Sequence, residues 1–378
     1  MTHIYEKALK FGQDHIGPRA EAIDAKQEFP ADIFQELGKA GFLKLLIPED
    51  QGGLGKRVLE HVEACLAFAQ FVPSVSLCYM MHNNGIPIFY HTAREISDRV
   101  YQDVIQNHAL WAAATSEPKS GNNTQSNETS FRVEKDQLIL NGSKVFVTMG
   151  GYAKYYKVTA RDEANQKLAW IMVPLDAEGV HFDQNSWNGL GMKGNVSCNL
   201  QLNQVTLARD HLLAYEDTVN PFDYELTENI FMLGLAATYA GIALGVCRDV
   251  VQHVQSRKFP DGNGLGDFDT VKLHLSNIYN QAQAAKVLCL EAGRAVDQQD
   301  PEAETKCSVA RVFSTEAGMS AANIAMRLGG GQAYNGIGPL SRWLRDSYAG
   351  QVMIPSIDKL NLSIGKSLVD GQINLDQL

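Results

Sequence analysis

The chain of 378 residues has no basic run, no cysteine pair in C-x-x-C spacing and no uninterrupted apolar stretch of membrane-spanning length. Each absence removes a class of protein. With 33 basic and 43 acidic residues the formal net charge is −10. Binding to phosphate backbones leaves a basic footprint, so nucleic acid is not an expected partner. The six cysteines (Cys65, Cys78, Cys198, Cys247, Cys289, Cys307) are scattered. That pattern argues against a metal site and for buried thiols in a reducing compartment. A membrane span needs about 20 apolar residues; Phe68–Met81 comes closest and is broken by Gln70, Pro73 and two serines. Met1–Lys10 lacks a basic stretch followed by an apolar one, so no secretory signal is expected and the cytoplasm is the expected location.

What is present is ordinary globular material, 45% hydrophobic and 20% charged, enough for two or three domains. Residues 1–108 read as helices. Ile33, Phe34, Leu37 and Ala40 follow Pro30 at helical spacing, and Val58, Val62, Cys65, Leu66 and Ala69 make a second stripe. Ser74–Met81 is apolar nearly all round and predicts a helix buried between layers. Residues 109–215 read as short strands. Phe131/Val133 and Leu138/Leu140 alternate, and Asn141-Gly142 predicts a tight turn into Lys144–Thr148. Tyr155–Ala160, Leu168–Val173, Val180–Phe182 and Leu200–Val205 continue the theme, which predicts a β-barrel or sandwich. Residues 216–378 return to helical period. Val271, Leu275, Ile278, Tyr279, Ala282 and Ala285 mark one long helix, and Glu302–Leu328 marks another that ends on Gly329-Gly330-Gly331. Long helices of this kind pack as an antiparallel four-helix bundle. There is no internal repeat.

Several local motifs make this α+β order specific. Thr115-Ser116-Glu117-Pro118 is followed by Gly121, Leu140-Asn141-Gly142-Ser143-Lys144-Val145-Phe146-Val147-Thr148 by Gly150-Gly151, and Trp187 by Gly189-Leu190-Gly191-Met192-Lys193. Downstream come Arg257-Lys258-Phe259, the run from Leu328 to Tyr334 (LGGGQAY) and Leu344-Arg345-Asp346. Taken together they resemble the T-E-P-x-x-G-S-D, I-N-G-x-K-x-W-I-T-N-G-G, G-M-R, R-x-x-F-G, F-G-G-x-G-[FY] and M-R-D segments of the acyl-CoA dehydrogenase superfamily, at consistent spacing along nearly the whole chain.

The resemblance implies FAD as cofactor. Thr115, Ser116, Phe146 and Thr148 would meet the isoalloxazine, where strand-end amides, hydroxyls and an aromatic wall suit a flavin. It implies that Gly121 and Asn122 lie in the loop beside the pantetheine or pyrophosphate. Arg257, with its planar fork of donors, and Phe259 would reach the FAD of a neighbouring subunit. Gly330 and Gly331 would let the backbone approach the cofactor, with Arg327 beside them in place of the usual Gln. A homodimer or homotetramer follows, with an electron-accepting flavoprotein or other acceptor as redox partner.

The catalytic position departs from the pattern. A dehydrogenase of this type takes an α-proton with a carboxylate while a hydride leaves the β-carbon. The usual Glu position is Ile354, an alternate position one helix earlier is Phe231, and no Glu follows Glu316. Glu228, one helical turn before Phe231, and Asp358 are the remaining acids, and His82 is a further acid/base candidate. The leading expectation is α,β-dehydrogenation of an acyl thioester on CoA or a carrier protein. A flavin-dependent monooxygenase or oxidase of the same fold, which dispenses with the Glu, and a non-catalytic acyl-thioester-binding subunit stand as alternatives.

Overall fold

The computed structural model describes residues 2–121, 123 and 126–373. Six helices come first: α1 (His3–Phe11), α2 (Ala20–Lys26), α3 (Ala31–Lys39), α4 (Val58–Ala69), α5 (Pro73–Asn84) and α6 (Arg94–Asn107). Pro73 occupies the first turn of α5, where its missing N–H costs nothing. Every residue of α5 is buried, because α4, the first strand and a later helix enclose it on all sides.

Eight strands follow: β1 (Trp111–Ala114), β2 (Ser130–Glu134), β3 (Gln137–Val147), β4 (Tyr155–Asp162), β5 (Leu168–Pro174), β6 (Val180–Asp183), β7 (Cys198–Ala208) and β8 (Leu212–Tyr215). They form one sheet in the order β6-β7-β3-β2-β4-β5-β8. One edge of β4 carries both β1, parallel along Tyr155–Val158, and the start of β2, parallel at Arg161 and Asp162. β4 and β5 are buried along almost their whole length, as strands covered on both faces are.

Asn141-Gly142 does not turn the chain. The β2–β3 hairpin turns at Lys135-Asp136, both at positive φ (48° and 66°), the conformation a two-residue hairpin loop demands. Asn141-Gly142 lies inside β3, at a register shift against β7. Glycine is required there by a close approach: a Cβ on Gly142 would sit 2.5 Å from Thr129 Oγ1.

The remaining helices are α7 (Pro221–Ser256), α8 (Asp269–Asp297), α9 (Ala303–Tyr334), α10 (Leu340–Val352) and α11 (Ile357–Val369). α7, α8 and α9 pack on one another, α10 closes against α9 and α7, and α11 lies on α9. The Asn220 side chain caps α7 by accepting the Phe222 amide, just before Pro221. Contrary to the expectation from apolar runs, α7 is long and apolar enough to cross a membrane. Its apolar stretch is mostly buried against α4, α5, α8 and α9, which makes it the core helix of the bundle. On α8, Val271, Ile278, Ala282 and Ala285 face inward, whereas Tyr279 is 55% exposed. Its Cα lies about 100° round the helix from Ile278, so the inward stripe is narrower than the sequence suggested. α9 is interrupted at Gly330 (φ 56°, ψ −144°), a backbone state that only glycine adopts without strain.

Candidate active site

A cavity of about 700 Å³ opens where the first helices, the sheet and the bundle meet, with lining residues running from Met81 on α5 to Lys359 on α11. Cofactor and ligand pockets have about this size. The sheet supplies one wall. Thr115 and Ser116 follow β1, and Val145, Phe146 and Thr148 come from the end of β3.

Phe146 is the unusual member. It sits at φ 55° in the second register shift of β3, between Lys144 and Val147, and the residue is 70% exposed. A bulky side chain at positive φ is strained, and such strain collects where a side chain must be aimed at a ligand. Two residues on, Thr148 Oγ1 meets Ser197 Oγ at 3.1 Å, and Ser197 donates to Asn195 Oδ1 at 3.1 Å. All three line the cavity.

Behind this wall lies a buried ion pair. Lys144 Nζ donates to Glu117 Oε1 at 2.7 Å, to Asn127 Oδ1 at 2.6 Å and to the Thr115 carbonyl at 3.2 Å. Glu117 also accepts the amides of Glu128 and Thr129. Burial pushes the lysine down to about 8 against the pull of Glu117. Burial likewise raises Glu117, but the hydrogen bonds from Lys144 and Thr129 outweigh it and hold the carboxyl below its usual range. The network fixes the Thr115–Ser116 backbone, to which Val145 N also donates at 2.9 Å.

The bundle supplies the opposite wall. Phe231 and Ile354, the two positions where the resembling family keeps its base, both line the cavity, and so does Glu228. Glu228 is exposed by surface area where it lines the cavity, although protein packs close round its carboxyl. The surrounding protein pushes its carboxyl up by burial, Lys157 opposes this, and Glu216 adds to it. Asp358 is exposed on α11 and does not line the cavity.

His82 is not an acid/base group of this site. Its Nε2 is 2.8 Å from the Leu43 carbonyl and its Nδ1 accepts the Trp111 amide at 3.2 Å. It is fully buried, and burial lowers it to about 4, so it acts as a neutral spacer between backbone segments.

The Gly189–Met192 loop is fastened to α10. Gly191 lies so close that a Cβ would stand 2.2 Å from the Arg345 carbonyl, and Met192 N donates to Asp346 Oδ1 at 2.6 Å. Burial pushes the Asp346 carboxyl up to about 6 although Arg342 and the Met192 amide pull it down. A carboxyl that binds its proton more tightly folded than unfolded favours the fold in acid. That contribution is complete below about pH 4 and is lost as pH rises through about 6, up to about 3 kcal/mol in all. Asp346→Asn is therefore expected to remove a decline in stability between pH 4 and 6, checked by urea denaturation across that range.

The other expected cofactor residues lie apart from the cavity. Gly121 (φ 52°) is on an exposed loop, and Asn122 lies outside the described residues. Arg257 is exposed at the end of α7 with its guanidinium 5.9 Å from the Phe259 ring. Arg327 is exposed on α9 near Gly330 and Gly331, and neither glycine has an atom within 4 Å of where a Cβ would stand. Within one chain the structure brings Thr115, Ser116, Phe146 and Thr148 together, and leaves Arg257, Phe259, Arg327, Gly330 and Gly331 on outer surfaces.

Sequence reasoning missed the polar end of the cavity, formed by Lys157, Trp170, Glu216 and Tyr224. One signal was available: a lone charged residue inside the strand-like run Tyr155–Ala160.

An exposed aromatic ring, hydroxyls from strand ends and a large cavity between sheet and bundle fit a flavin ring, which makes this a flavin-dependent oxidoreductase fold. The family models for the N-terminal, middle and C-terminal domains of acyl-CoA dehydrogenase match residues 2–107, 112–205 and 230–353. The chain belongs to the acyl-CoA dehydrogenase family. It is 26% identical over 367 residues to an acyl-CoA dehydrogenase of Bacillus subtilis, covering 96% of each chain. It is 25% identical to the cyclohexane-1-carbonyl-CoA dehydrogenase of Geobacter metallireducens over 359 residues, covering 92% of each. The structure of butyryl-CoA dehydrogenase from Megasphaera elsdenii superposes with a TM-score of 0.89 at 21% identity, covering 98% of this chain and 99% of that one.

Proposed function

We propose that the protein is an FAD-dependent dehydrogenase that forms an α,β double bond in an acyl thioester, with Glu228 as proton acceptor. One observation carries the assignment of the base. Of the described residues lining the cavity, only Glu216 and Glu228 are carboxylates, and Glu216 already accepts the Trp170 indole N–H at 3.0 Å. FAD, when bound, would supply the hydride acceptor.

The chain's own residues do the rest. Phe146, Thr148, Thr115 and Ser116 orient the ring system. Met81, Phe231, Val352 and Ile354 give the cavity an apolar side that excludes water, so that charge developing on the thioester is felt strongly by nearby donors. Glu228 takes the α-proton. Arg257, Phe259, Arg327, Gly330 and Gly331 complete the FAD site of a second subunit in a homodimer or homotetramer, which accounts for their distance from the cavity of their own chain. The acyl carrier is CoA or a carrier protein, and an electron-accepting flavoprotein reoxidises the enzyme.

An anaerobic titration of the FAD-loaded protein with a panel of acyl-CoA and carrier-bound acyl thioesters tests this. Bleaching of the long-wavelength flavin band by one of them is expected. If none bleaches a flavin that dithionite does reduce, the dehydrogenase reading fails and oxygen chemistry or a binding role replaces it.

A further inference from the structure

The polar end of the cavity is a chain of contacts that leads from the sheet to α7, the helix that carries Glu228. Lys157 lies mid-strand on β4, opposite Ala113 of β1 and Met172 of β5. It is 7% exposed, between the buried Tyr156 and Val158. Its ammonium stands 4.2 Å from the centre of the Trp170 ring. Trp170 stacks on Tyr224, with centroids 5.8 Å apart and planes 13° from parallel, and donates to Glu216 just past β8. Tyr224 and Glu228 are four residues apart on α7 and share a helix face. Placing an ammonium this deep is costly unless it meets opposite charge, and the apolar neighbours along β4 supply none.

We propose that Lys157 is a positioning residue for the active-site base: held against Trp170, it keeps the Glu228 carboxylate ionised and ready to take a proton. The inference rests on the reading of Glu228 as proton acceptor. Lys157 acts on it from β4 and Glu216 from the segment after β8, while Tyr224 shares its helix α7. Arg345 lines the same cavity but is paired with Asp24; Lys359 lines it from α11.

The electrostatics agree in direction. Burial raises Glu228 and Glu216 raises it further, so Lys157 provides the one opposing influence. Burial lowers Lys157, and Glu228 followed by Glu216 pull it back up. Without the lysine, both remaining influences act to raise the Glu228 carboxyl. A base works best when its midpoint lies near the working pH. Here one ammonium is set against burial and a second carboxylate, which both raise the carboxyl.

The test reads the Glu228 carboxyl directly, by 13C NMR of FAD-loaded protein labelled at the glutamate side-chain carboxyl, with the resonance assigned through Glu228→Gln. Lys157→Met is expected to raise its midpoint by about 1 pH unit or more, and Lys157→Arg to return most of that shift. Glu216→Gln is expected to move the midpoint down, an opposite sign available even if Lys157→Met fails to fold. An unchanged midpoint in Lys157→Met, an equal rise in Lys157→Arg, or an upward move in Glu216→Gln overturns the proposal. The acid limb of anaerobic flavin reduction should follow the NMR midpoint across these variants. If the midpoint moves and that limb does not, Glu228 is not the base, while the tuning by Lys157 stands.

Discussion

Lys144→Met is expected to destabilise the protein by about 3–5 kcal/mol, because it strands the Glu117 carboxylate in the interior without its counter-charge. Lys144 is fully buried and Glu117 nearly so, and the lysine also donates to Asn127 and to the carbonyl of Thr115. The loss therefore falls on the backbone that presents Thr115 and Ser116 to the cavity. Urea denaturation should show the reduced stability, and purified protein should carry less flavin per chain than wild type. The double variant Glu117→Gln/Lys144→Met removes both charges and should recover a large part of the stability, since replacing both partners of a buried pair costs far less than removing one. A single variant as stable as wild type would show that the pair is not what holds this wall.

Glu228→Gln is expected to slow anaerobic flavin reduction by acyl thioester about 10²–10⁴-fold, the usual cost of losing a general base. The substitution keeps the side chain's size at a position open to the cavity, so melting temperature and flavin content should stay near wild type. Stopped-flow absorbance under nitrogen separates the two effects. Reduction at the wild-type rate would remove Glu228 from the mechanism and return the search to a base supplied by substrate or solvent.

Much of the architecture was legible because its signals are local and periodic. The apolar-all-round segment ending at Met81 became the enclosed helix α5, and the helical stripes after Pro221 became the bundle. That Thr115, Ser116, Phe146 and Thr148 lie together at one cavity wall could be anticipated because they lie in short motifs whose flanking residues define them. What escaped depends on which layers meet. Alternation along a strand gives the side on which Lys157 points but not the helix that faces it, so its relation to Glu228 on α7 could not be read from either segment. His82 misled for the same reason: its candidacy rested on residue type, whereas its role was decided by the Leu43 carbonyl and the Trp111 amide, both distant in sequence. The Asn141-Gly142 pair carries a strong turn signal, yet a close approach to Thr129 was the constraint behind its glycine.

The span of the cavity along the chain, from Met81 to Lys359, has a consequence for biogenesis. During synthesis the sheet wall emerges well before α10 and α11, and until those last helices dock, the Gly189–Met192 loop has nothing to fasten to. The nascent chain thus has no enclosed cavity to offer a flavin. Cofactor uptake is therefore expected to follow the docking of α10 and α11, and a chain truncated before Leu340 should be made as a flavin-free, incompletely closed species.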